Sequence, residues 1–76
     1  MEMNLTHLEP GMCATVTQIN VPKVLSCRLR DFGLIPGTQV RIRYRSPDGG
    51  VTALELRGTV VALRTRELKK IRVRLL

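Results

Sequence analysis

Thr38-Gln39-Val40-Arg41-Ile42-Arg43-Tyr44-Arg45 is the stretch that decides the fold. Thr38, Val40, Ile42 and Tyr44 fall on one side of an extended chain, and Arg41, Arg43 and Arg45 on the other. A period of two belongs to a strand with one face buried, because helical side chains return to a face only every three or four residues. The aliphatic side is expected in a core and the guanidinium side in water. Ser46-Pro47-Asp48-Gly49-Gly50 follows directly and is the strongest turn signal in the chain.

Beyond that turn the alternation resumes. Leu54 and Leu56 are placed inward, and Ala53, Glu55 and Arg57 outward. Gly58 permits a tight reversal into Val61 and Leu63. A brief helical turn from Thr65 to Lys69, capped by Thr65, leads to a last strand with Ile71, Val73 and Leu75 inward and Arg72 and Arg74 outward. On the N-terminal side, Pro36-Gly37 reads as a type II bend. Before it the period changes: Leu25, Leu29 and Phe32 are spaced by four and three, the apolar face of a short helix. Pro22 suits its first turn and Gly33 its end. Met12, Ala14 and Val16 alternate with Cys13, Thr15 and Thr17, and Ile19 breaks the phase, which predicts a bulge or a strand end near Gln18. Residues 5–11 read as a lead-in ending in the Pro10-Gly11 turn.

These elements sum to an all-β domain over residues 1–76, with about five strands and one short helix after the first strand. A chain of 76 residues has room for one small core, and short alternating strands bury one face best by curling into a barrel.

Thirteen Lys and Arg against six Asp and Glu give a formal charge of +7. Such a surface attracts something acidic: nucleic acid, an anionic membrane face or an acidic protein. The other signals narrow the classes. No apolar run approaches the roughly 18 residues that span a bilayer. The N-terminus Met1-Glu2-Met3-Asn4 has neither the basic nor the apolar part of a secretory leader, so the chain is expected in the cytoplasm. Cys13 and Cys27 are expected as reduced, ordinary small residues. One His and two distant Cys make no metal-ligand spacing, so no metal site is expected. No nucleophile stands beside a base and no glycine loop cradles a phosphate, which argues against an enzyme and against a small-molecule substrate. Specific nucleic-acid recognition is disfavoured, because Phe32 and Tyr44 are placed inward, away from any base they would stack on.

The arginine row repels itself unless acids or an anionic partner balance it. Glu55 and Glu67 are the available acids. Asp31, in the last helical turn, opposes the helix dipole and calls for a partner such as Arg28. Leu34-Ile35, two branched apolar residues in a loop, either plug the barrel or form a contact. Partner contact is therefore assigned to Leu34, Ile35, Arg41, Arg43 and Arg45, with Arg28 and Asp31 shaping the loop.

The stretch Arg28-Leu29-Arg30-Asp31-Phe32-Gly33-Leu34-Ile35-Pro36-Gly37, with Gly58, Val61-Ala62-Leu63-Arg64 and Glu67 after it, resembles the FeoA family of bacterial ferrous iron uptake. It also resembles the related C-terminal barrel of iron-dependent repressors. Phe32 stands where that family usually has Leu. The resemblance implies an SH3-like barrel that binds the cytosolic part of the FeoB transporter and meets the membrane only through it. No cofactor is implied as required, and ferrous iron is a possibility at the level of the family alone. The alternatives are a detached repressor-type module that binds a peptide or a transcription factor, and a non-specific nucleic-acid binder.

Overall fold

The computed structural model describes residues 2–76. Six strands form one antiparallel sheet: β1 Glu2–Asn4, β2 Cys13–Ile19, β3 Gln39–Arg45, β4 Val51–Leu56, β5 Thr59–Arg64 and β6 Ile71–Leu75, in the order β1-β6-β2-β3-β4-β5. One helix, α1 Lys23–Asp31, joins β2 to β3, and 3₁₀ turns cover Leu5–His7 and Thr65–Leu68. This is the all-β arrangement read from the alternation and the SH3-like fold that the resemblance implies, with one strand more than expected. That strand, β1, has three residues, too few to show a period, and its pairing of Glu2 with Arg74 and Asn4 with Arg72 is wholly long-range. The helix consequently follows the second strand.

The core is aliphatic. Ala14 and Val16 of β2, Leu29 of α1, Val40 and Ile42 of β3, Leu54 and Leu56 of β4, Leu63 of β5, and Ile71 and Val73 of β6 meet inside it. Leu5, Leu8 and Leu68 come from the 3₁₀ segments and are fully buried, so the lead-in is part of the core. Burying each such side chain stabilises the fold by about 1.5–3 kcal/mol. Asn4 ties the N-terminal turn down: its Oδ1 accepts from Thr6 N at 2.9 Å, and its Nδ2 donates to the Lys69 carbonyl.

The turns follow their glycines. Gly11 at φ +92° and Gly37 at φ +95° occupy the third positions of bends closed by Met12 N to Glu9 O (3.0 Å) and Thr38 N to Ile35 O (3.0 Å), as the Pro-Gly pairs predict. The β2 bulge falls between Val16 and Gln18.

A second bulge, between Ile42 and Tyr44, corrects the reading of β3. Arg43 is the extra residue. Past it the phase inverts, so Tyr44 stands opposite Ala53 on the outer face and is 56% exposed, while Arg45 turns toward Thr52 on the inner side. A strict period of two cannot reveal an inserted residue. Further corrections follow. Phe32 is 43% exposed, because it is the C-cap of α1 and lies outside its regular turns. Ala53 is fully buried between its cross-strand neighbours Tyr44 and Ala62. Leu75 is exposed near the chain end. Thr65 makes no cap; its Oγ1 shares a 2.8 Å hydrogen bond with Thr52 Oγ1 instead.

Candidate docking surface

The segment from Arg28 to Gly37 is built by the end of α1. Gly33, at φ +89°, takes the left-handed conformation in which Gly33 N reaches Arg30 O (2.8 Å) and Leu34 N reaches Leu29 O (2.9 Å). These two bonds define a Schellman motif, which commonly joins an apolar residue just past the helix to one in its last turn. Leu34 and Leu29 are that pair, and both are buried. Leu34 therefore plugs the core. Its assignment as a contact residue is corrected, since a side chain 1% exposed has no surface to offer a partner.

Ile35 is left outside at 36% exposure, next to Phe32. Val24, 77% exposed, begins the outward face of α1 and is followed on it by Cys27, Arg28 and Asp31, all exposed. Positions three and four apart share a helix face. The result is a row of apolar groups, Val24, Phe32 and Ile35, interrupted by one cation and one anion. Arg28 does not pair with Asp31; its Nη1 lies 3.6 Å from Glu67 Oε2. Among the described residues Asp31 has no hydrogen bond or ion pair. Phe32 and Val24 were not read as surface residues, although Val24 lies off the Leu25–Leu29 face and that offset was visible.

The arginine row divides in three. Arg43 Nη1 meets Glu55 Oε1 at 3.0 Å. Arg41 is exposed, and its Nε donates to Cys13 Sγ at 3.1 Å, a hydrogen bond that raises the pKa of a guanidinium already charged at physiological pH. Arg45 is half-buried and donates through Nη2 to the carbonyl of Thr6 (2.7 Å) and to that of Leu8. The assignment of Arg45 to a partner is corrected as well: the bulge turns it inward, where it holds the N-terminal turn.

Among the described residues no helix is long and apolar enough to cross a membrane. Among the described residues no three of His, Cys, Asp and Glu cluster, and both cysteines are free. The aromatic premise used against nucleic acid does not hold, since Phe32 and Tyr44 are both exposed. They stand on different elements, α1 and β3, rather than as successive stacking platforms.

The chain is a six-stranded SH3-like sheet with an exposed apolar group, Val24, on the outward face of its helix. The FeoA domain model matches residues 3–75. A Campylobacter jejuni protein named Fe(2+) transport protein A is 32% identical over 74 residues, covering 97% of this chain and all of that one. The chain belongs to the FeoA family. The solution structure of a FeoA-like protein from Clostridium acetobutylicum superposes with a TM-score of 0.88 at 31% identity, over 99% of this chain and 87% of that one. A manganese-dependent transcriptional repressor shares the fold, with a TM-score of 0.89 at 18% identity, over 99% of this chain and 42% of the repressor.

Proposed function

We propose that this chain is a non-catalytic cytoplasmic accessory protein of ferrous iron uptake that docks on the cytosolic part of a FeoB-type transporter. The observation that carries this reading is the outward row Val24, Phe32 and Ile35 with Arg28 and Asp31. Three large apolar groups stand exposed along a helix face and the loop after it, beside the exposed charges of Arg28 and Asp31. Apolar anchors ringed by charged residues are the anatomy of a protein interface. The name of the Campylobacter relative places that protein in Fe(2+) transport, and the same pathway is inferred here. The excess positive charge, to which the exposed Arg41 contributes, would speed encounter with an acidic partner. A rigid barrel with no resident cofactor acts on such a partner by binding one of its conformations better than another. It would tune the transporter without moving iron itself.

The test is a pull-down of the full chain with the FeoB cytosolic domain, alongside Phe32→Asp and Arg41→Glu. The wild type is expected to bind. Phe32→Asp should weaken binding by at least about tenfold, the loss typical of a truncated anchor. Arg41→Glu should slow association and reduce its salt dependence. Absence of wild-type binding contradicts the proposal, and so does sequence-dependent binding to an oligonucleotide run in parallel.

A further inference from the structure

Among the described residues strand β5 ends the sheet and pairs only with β4. The two strands are joined by Arg57-Gly58, with φ of 51° and 78°, a two-residue hairpin turn with both centres left-handed. In such a hairpin the flanking pair Leu56–Thr59 exchanges hydrogen bonds, as do Leu54–Val61 and Thr52–Leu63 in the same ladder. The next step agrees, with Thr65 N donating to Gly50 O at 2.9 Å. The N–H and C=O groups of Val60, Ala62 and Arg64 therefore point away from β4. Among the described residues no hydrogen bond joins them to another segment. All three residues are exposed, Val60 at 53%. Exposure of Ala62, which has only a methyl to expose, means that nothing lies over the strand there.

Natural sheets blunt open edges with charge, proline or a covering segment. This edge keeps two exposed apolar residues, Val60 and Ala62. The charges around it are mainly positive, with one acid, Glu55, opposite Val60. Arg57, Arg64 and Arg66 have no ion pair among the described residues, and the nearby Glu55 is engaged by Arg43.

We propose that β5 is a strand-addition site for an extended acidic segment of a partner protein. Its main chain would pair with Val60, Ala62 and Arg64, its apolar residues would lie along Val60 and Ala62, and its carboxylates would meet Arg57 and Arg64. Strand addition draws affinity from main-chain hydrogen bonds and specificity from alternate side chains. A second copy of this chain is the poorer occupant, since each copy carries +7. The proposal rests on the edge and its charge and does not depend on the transporter reading.

Amide hydrogen exchange on the full chain tests it, with a synthetic peptide of alternating valine and glutamate as the probe and the valine–lysine peptide as its control. In the free chain the amides of Val60, Ala62 and Arg64 should exchange freely. The glutamate peptide should slow them by about tenfold or more, and the lysine peptide should not. Ala62→Pro removes an N–H that faces solvent, so the fold survives and protection by the peptide is lost. Should that variant not fold, Arg64→Glu serves, shifting preference toward the lysine peptide. Protection of these amides in the free chain would overturn the proposal, whether constant, which means a covered edge, or rising with concentration, which means a second copy. Equal response to both peptides, or to neither, overturns it too.

Discussion

Arg45 donates to the carbonyls of Thr6 and Leu8, main-chain groups of the turn that carries the buried Leu5 and Leu8. Replacing Arg45 with Met leaves those carbonyls without their charged donor. The change is expected to cost about 1.5–3 kcal/mol, the range for hydrogen bonds that involve an ionised group. Arg41→Met, on the same strand but exposed, should change stability by no more than about 0.5 kcal/mol. Urea unfolding of the two variants checks the contrast, and equal losses would mean that Arg45 is not a clamp. Alternation alone puts both arginines on one outward row. They differ because of a single inserted residue, Arg43, which leaves no mark in the hydropathy pattern. Ile35 and Arg28 were legible as surface residues, from a loop position and from a position off the apolar helix face. Leu34 was not, because its burial comes from the turn back over Leu29, a geometry set by the φ of Gly33.

At the scale of elements, the end of α1 is the joint on which the docking face depends. An ideal Cβ on Gly33 would lie 3.0 Å from Arg57 Cδ, at a φ of +89° that other residues reach only with strain. Gly33→Ala is expected to destabilise the chain by about 1–2 kcal/mol and to disturb Phe32 and Ile35 with it. Thermal unfolding measures the first effect and the amide spectrum of residues 32–35 the second. In the Ser46–Gly50 turn, the Ser46 hydroxyl and then the Gly50 N–H hold the Asp48 carboxyl below its usual pKa. A depressed carboxyl contributes stability above its unfolded value of about 3.9 and loses it as pH falls through the lower folded value. The Gly50 amide should therefore titrate with a midpoint below about 3.9, and a midpoint at or above that value would mean that the turn bonds do not persist in solution. Five strands, the helix and both Pro-Gly bends were readable because each spans enough residues to show a period or a turn signature. β1 was not, since a three-residue strand is specified by its partner β6 and hardly at all by itself.

At the scale of the whole molecule, the chain carries thirteen cationic side chains, of which Arg28, Arg43 and Arg72 form ion pairs among the described residues. The remaining charge gives the barrel a positive field, and the apolar row along and after α1 and the β5 edge are the two surfaces proposed for partners. The docking of that α1 row on a FeoB-type transporter is the central claim. It is tested most directly by following the backbone amides of the full chain while the FeoB cytosolic domain is added. The expected result is saturable shifts of the residues from Val24 to Ile35, absent in Phe32→Asp. No shift at saturating concentrations, or shifts that leave Val24 to Ile35 untouched, would contradict it.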